Sequence, residues 1–137
     1  MTAVIDANIA LALVLDLAYS EQARKAVAAT DSMIAPDLII HESANALWKI
    51  AKASPALQPR CRTLISVIPS LLEEIVPALS IVEEALDLAL ALNHPAYDCF
   101  YIALARNRGA QLITADRKLV LAAERADRSI RTIQIEP

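Results

Sequence analysis

The chain has 137 residues, 56% of them apolar and 21% charged, with a formal net charge of −3. That length fits one domain, able to bury roughly 70% of its unfolded surface, and the aliphatic composition excludes intrinsic disorder. It contains one glycine, Gly109, where ordinary usage gives about ten; a P-loop, a GxGxxG fingerprint and the Gly-containing hairpins of an all-β meander have no residues to build them.

In chain order, residues 3–5 (Ala-Val-Ile) predict a short strand that stops at Asp6. Residues 9–29 predict a helix with a break near 18–20. Residues 33–35 predict a second strand, closed by Pro36, with Asp37 as the N-cap of a helix running to about Ala53. Ser54-Pro55 ends that helix, because the residue before a proline is pushed out of helical backbone. Residues 57–74 predict two helical pieces separated at Pro69, and Ile75-Val76 a third strand. A helix over 81–93 ends at His94-Pro95. A strongly apolar helix over 97–108 follows, with Gly109 just past its end. Gln111–Thr114 predicts a fourth strand, 116–126 a helix and 131–135 a last strand. Short strands separated by helices predict an α/β fold, with a parallel sheet between helices on both faces.

Mean hydropathy is +0.41, but the longest charge-free stretches, such as 63–72 and 88–97, hold about ten residues, half of what a spanning helix needs. The N-terminus has no basic segment and Asp6 interrupts its apolar run, so no signal peptide is expected. Cys61 and Cys99 form no CxxC pair, which fits a reducing cytoplasm. Charge is unevenly spread. Lys49, Lys52, Arg60 and Arg62 occur in 49–62 without an acid, 104–131 is predominantly basic, and 63–103 has acids but no Lys or Arg. These are either solvated helix faces or basic stretches flanking a phosphate-bearing ligand.

Four acids stand apart. Asp6 follows the first strand and Asp116 follows the fourth by two residues, and open α/β sheets bind ligands beyond the carboxyl ends of their strands. Each also precedes a helix, so each is equally a cap. For Glu42, a helical wheel at 100° per residue puts Ile40, Ala44, Leu47 and Ala51 about opposite, and Asn45, Lys49 and Lys52 beside it, with Trp48 at the edge of the apolar arc. That polar stripe faces either solvent or a cleft. Asp98 opens a helix whose next seven residues carry no charge; it is a cap, or a carboxylate at the mouth of a pocket in need of a partner. Like charges about 5 Å apart repel by roughly 3 kcal/mol at an effective dielectric near 20. A cluster of all four therefore calls for a cation, and an oxygen-only pocket suits Mg²⁺ or Mn²⁺, which promote phosphodiester hydrolysis.

At these residues a resemblance enters. Val4-Ile5-Asp6-Ala7-Asn8, His41-Glu42-Ser43-Ala44-Asn45-Ala46-Leu47, Tyr97-Asp98-Cys99-Phe100-Tyr101-Ile102-Ala103-Leu104-Ala105 and Leu112-Ile113-Thr114-Ala115-Asp116-Arg117 resemble the signatures of PIN domains, most closely the VapC-type toxins of toxin–antitoxin systems. The resemblance spans residues 1–137 as one nuclease domain. It implies a three-layer sandwich around a five-stranded parallel sheet and a divalent-metal-dependent endoribonuclease. Carried over, Asp6, Glu42, Asp98 and Asp116 form the catalytic quartet. Asp6 and Asp98 would ligate the ion, with Asp116 bound directly or through water. Glu42 would orient the attacking water or help hold a second ion, and Asn8 and Thr114 would support the site through their amide and hydroxyl. It further implies a homodimer and an antitoxin that covers the groove. Ala7 departs from the Ser or Thr common in the family. Lys49, Lys52, Arg117 and Lys118 are candidates for contact with the RNA backbone.

The remaining residues read more plainly. His41 adjoins Glu42 and would serve as a general base, but it and His94, in the turn before Pro95, are expected to be polar surface or core residues. Trp48 is expected in the core, with a dimer or antitoxin surface as the alternative, and Cys61 and Cys99 as small buried hydrophobes. Two rival functions remain. A receiver-type phosphoacceptor needs an acidic pair after the first strand and a Lys after the fifth, both missing. A PIN-like module used only for protein binding keeps the fold without the metal. A haloacid-dehalogenase-type phosphatase fails because Asn8 stands where its second Asp belongs.

Overall fold

Unbroken apolar runs such as Ala3-Val4-Ile5 and Met33-Ile34-Ala35 require cover on both faces of the sheet, and the fold supplies it. The computed structural model describes residues 1–136. Five strands, β1 (Thr2–Ile5), β2 (Ser32–Pro36), β3 (Glu74–Val76), β4 (Gln111–Thr114) and β5 (Thr132–Gln134), form one sheet in the order β3-β2-β1-β4-β5. Every pairing is parallel. Along β1, Ala3 and Ile5 pack on one face and Val4 on the other; along β4, Ile113 and Leu112 divide the same way. Helices α1 (Ala7–Val14), α2 (Ser20–Ala28), α3 (Leu38–Ala53) and α4 (Cys61–Val67) cover the Ile5 face. Helices α5 (Val82–Leu92), α6 (Ala96–Arg108) and α7 (Arg117–Ala126) cover the Val4 face. The result is the expected three layers. Fully buried side chains such as Ile5, Ile102 and Ile113 each contribute about 1.5–3 kcal/mol of transfer free energy.

The order of strands places the site. The chain moves from β1 to β2 and β3 on one side, then returns to lay β4 and β5 on the other. The switch point lies between β1 and β4, where an open parallel sheet leaves a crevice at its carboxyl edge. Ile5 pairs with Ile113 in register, so the next residue on each chain segment, Asp6 just past β1 and Thr114 at the end of β4, emerge side by side.

Several local expectations need correction. The break expected near 18–20 in region 9–29 is present but begins earlier, residues 15–19 turning between α1 and α2. Ser20 Oγ accepts from Leu17 N–H at 2.8 Å and donates to the Leu15 carbonyl at 2.9 Å, which closes that corner. Asp37 does not cap α3 with its side chain; its Oδ1 accepts from Ala78 N–H at 3.1 Å, tying the start of α3 to the loop after β3. Pro69 does not separate two helical pieces. It sits in the first turn of a 3-10 segment, Ile68–Leu71, directly after α4, where its missing N–H costs nothing. Gly109 ends α6 with φ +58°. A Cβ there would meet no atom within 4 Å, so the left-handed backbone alone calls for glycine. Asn93 takes the same conformation after α5, φ 50°. Among the described residues no helix is long and apolar enough to cross a membrane.

Candidate active site

The three aspartates stand at or inside the starts of three helices. Asp6 caps α1, its Oδ1 accepting from Ile9 N–H at 3.1 Å. Asp116 caps α7, its Oδ1 accepting from Lys118 N–H at 2.9 Å. Asp98 is the third residue of α6 and is no cap, since α6 begins at Ala96 after Pro95. Helix N-termini favour negative charge, so the fold gathers carboxylates here at reduced cost. Glu42 arrives from α3 and completes the set. Asp6, Glu42, Asp98 and Asp116 together line one cleft of about 380 Å³ at the carboxyl edge of β1 and β4. Both readings of Asp6 and Asp116 are therefore true at once: a capping carboxylate is also a cleft carboxylate.

Each acid is braced by a neutral or imidazole partner. The fully buried Thr114 hydroxyl accepts from Asp116 N–H at 3.0 Å, which leaves its proton for Asp6 Oδ2. The Tyr101 hydroxyl donates to Glu42 Oε1 at 2.5 Å. His94 Nε2 donates to Asp98 Oδ2 at 2.7 Å. Against these four carboxylates the cleft lining offers one side-chain ammonium, that of Lys49.

The imbalance appears in the protonation equilibria. Burial pushes the Asp6 carboxyl up to about 6, against the lowering effect of the Thr114 and Ile9 bonds; Asp116 and Glu42 add to the rise. Burial also raises Glu42, opposed by the Tyr101 bond and reinforced by Asp98. Tyr101 is raised far above an ordinary phenol by burial and then by Glu42. It therefore keeps its proton and acts as a fixed donor.

The donor set fits a hard divalent cation. It is all oxygen, and in each of Glu42, Asp98 and Asp116 one carboxylate oxygen has no protein donor among the described residues. Among those residues no three His, Cys, Asp or Glu side chains stand close enough together, as placed, to hold a metal ion by themselves. The arrangement is an open acidic cleft, the kind that Mg²⁺ fills while keeping several waters.

The other sequence candidates divide. Asn8, Asn45 and Lys49 line the cleft. Lys52 does not. It lies over the Trp48 ring, 5.4 Å from the centroid, in a separate groove behind α3 that Leu47 and Arg62 also line. The polar stripe of α3 is thus split between two hollows. Trp48 is 58% exposed rather than core, because that part of α3 faces the groove and not the sheet. Arg117 and Lys118 are exposed at the start of α7, outside the cleft lining. His41 also lies outside it, its Nδ1 3.3 Å from the Asp37 carbonyl. His94 is no bland turn residue, since it holds Asp98. Cys99 is buried as expected, but Cys61 only partly. Tyr101 and Tyr19 belong to the cleft and were not expected there. Tyr101 had a readable signal: it follows Asp98 by three residues, on the same helical face.

Residues 3–125 match the PIN domain family model. The chain is 31% identical over 121 residues to Ribonuclease VapC3 of Pyrobaculum aerophilum, covering 87% of this chain and 92% of that protein. Its fold is similar to the crystal structure of PAE2754 from Pyrobaculum aerophilum, with TM-score 0.71 at 21% identity over 96% of this chain and 89% of the other. It is also similar to VapBC2 from Rickettsia felis, solved bound to a DNA fragment from their promoter. There the TM-score is 0.66 at 12% identity, over 99% of this chain and 100% of the other. At those identities the two structures show the shared fold.

Proposed function

The chain belongs to the PIN-domain family, in its VapC-type branch, and from that premise we propose that it is a divalent-metal-dependent endoribonuclease, the toxin of a toxin–antitoxin pair. One observation carries the reading: four carboxylates from four chain segments share a cleft with a single ammonium, braced by donors that leave their charge unneutralised. Such a cleft is costly to maintain unless a cation completes it. Mg²⁺ or Mn²⁺ held by Asp6, Asp98 and Asp116 would supply an acidified water and neutralise charge on the phosphate.

The chain's own residues do the rest. Thr114 fixes the Asp6 carboxylate, and His94 fixes that of Asp98. Tyr101 holds one oxygen of Glu42, which turns the other toward the attacking water to orient it and take its proton. Asn8 offers its amide at the cleft wall, and Lys49 attracts the phosphate. An antitoxin covering the cleft would silence this activity. Leu79, Val82, Leu86 and Leu90 are exposed at spacings of three and four residues, a row that suits burial in a homodimer. The free thiols of Cys61 and Cys99 fit a cytoplasmic setting.

The test is cleavage of a broad RNA panel by pure protein with Mg²⁺, Mn²⁺ or a chelator. Metal-dependent cleavage, lost on chelation, is expected. No cleavage with either ion sinks the reading and leaves the protein-binding module in its place.

A further inference from the structure

The cleft is not lined by carboxylates alone. Besides the carboxylates, Leu11, Leu17, Tyr19, Ala46 and Ile50 line it. Leu17 and Ile50 also line a neighbouring hollow of about 390 Å³, so the two share a rim and form one trough. In the second hollow stand Arg24, from α2, and Arg60, from the 3-10 turn before α4. Arg24 Nη2 donates to the Leu15 carbonyl at 3.3 Å, which holds the guanidinium at the corner between α1 and α2. The hollow contains one acid, Asp16. Its 3.4 Å contact with Arg24 joins side chains 97% and 49% exposed, a solvated pair of little energy. Arg60 is exposed and makes no ion pair among the described residues.

Charge thus reverses along the trough, from carboxylates, across an apolar and aromatic saddle, to two guanidiniums. A single nucleic-acid strand has the matching sequence of needs. One phosphate must meet a cation, an unpaired base seeks a flat apolar platform, and the next phosphate seeks donors in a fork. A duplex keeps its bases stacked inside and cannot use the saddle. The groove of Trp48, Lys52 and Arg62 shares no lining residue with the cleft and lies off this path.

We propose that the trough is the path of single-stranded RNA: the base beside the scissile phosphate packs on Tyr19 and the Leu17–Ile50 saddle, and the following phosphate is taken by Arg24 and Arg60. This rests on the ribonuclease reading of the acidic cleft.

The experiment is steady-state cleavage of a single-stranded RNA oligonucleotide with Mn²⁺, at several salt concentrations. Arg24→Ala combined with Arg60→Ala is expected to raise KM about 10- to 100-fold with kcat within about twofold. The logarithmic salt dependence should flatten by about 0.7 for each phosphate that the variant no longer neutralises. Tyr19→Ala should raise KM at least about fivefold, as loss of a stacking platform does. Arg60→Ala alone keeps the result readable if Arg24→Ala loosens the α1–α2 corner. Cleavage by wild type with KM and salt slope unchanged in Arg60→Ala and in the double variant overturns the path alone. Absence of cleavage by wild type overturns the ribonuclease reading, and this path with it.

Discussion

The two ends of α6 handle acidic partners in opposite ways. At its tail, Arg106 bonds Glu84 through two guanidinium nitrogens, and Arg108 grips Glu74 with contacts of 2.9 and 2.5 Å. At its head, Asp98 meets His94, Glu42 meets a phenol, and Asp6 meets a hydroxyl and an amide. The tail is charge-matched and closed. The head is oriented by hydrogen bonds but left electrostatically short of cations. A fold that can pair its acids with arginines at one end of a helix, and does not at the other, has kept the second end for a charge from outside. Stability and function therefore separate along one helix.

Substitution at each end should break them apart. Asp98→Asn is expected to lower RNA cleavage by more than about 100-fold, beyond what losing an outer partner of a metal ligand costs, while the melting temperature stays within a few degrees. Arg106→Ala should do the reverse, lowering stability by about 1–2 kcal/mol, since it strands the half-buried Glu84 carboxylate, with cleavage intact. Paired thermal melts and cleavage assays check both. An Asp98→Asn protein as active as wild type would erase the contrast.

The head of the helix should also announce itself in pH. The Asp6 carboxyl is raised from an ordinary carboxylate value to about 6 in the folded protein. The folded state therefore prefers it neutral, and that preference is fully present below the unfolded value. As pH rises from about 4 through about 6, the metal-free fold must accept a buried charge and loses up to about 3 kcal/mol. Asp6→Asn mimics the neutral form. Its stability advantage over wild type should grow across that window and level off above it. Adding Mg²⁺ at pH 7–8 should stabilise wild type more than Asp6→Asn, which keeps only Asp98 and Asp116 of the proposed ligands. Chemical denaturation at intervals of pH, with and without Mg²⁺, measures this. An advantage that is flat with pH breaks the claim that Asp6 carries the site's excess charge.

What the sequence made legible was local. Asp6 and Asp116 could be placed because each lies within two residues of a strand's end, and strand ends in a parallel sheet converge. Gly109 could be placed because a left-handed helix end favours it. The failures share a cause, which is a partner distant in sequence. Asp37 has the residue type of a cap, but Ala78 N–H, 41 residues on, takes its carboxylate. Tyr101 reads as core, and is core, yet its hydroxyl finds Glu42 59 residues away. Trp48 sits at the edge of an apolar arc, and nothing local says whether sheet or groove lies across from it. His94 is the exception, since its partner Asp98 lies only four residues on.

Tyr101→Phe sharpens the comparison from inside the cleft. It keeps the buried ring and removes the one donor that orients Glu42. Cleavage should fall about tenfold, as for other outer partners, through kcat more than KM. Glu42→Gln placed on top of it should cost no more than Glu42→Gln alone, because the tyrosine acts only through that carboxylate. Additive losses in the double variant would show Tyr101 working by another route.

The smallest expected effect lies one residue from Glu42, on the face of α3 turned away from the cleft. Ser43 is fully buried, and its Oγ has no hydrogen-bond partner among the described residues. A buried hydroxyl without a partner costs about 1–3 kcal/mol. Ser43→Ala removes that oxygen and leaves a small void. It also brings the best helix former into a helix interior. The net expectation is a gain of about 1 kcal/mol by chemical denaturation, with cleavage unchanged, because the α3 backbone that carries Glu42 does not move. A loss of stability would mean that the hydroxyl has a partner, and a loss of cleavage would mean that this partner reaches the carboxylates. Either result would extend the oriented network at the head of α6 one side chain deeper into the core.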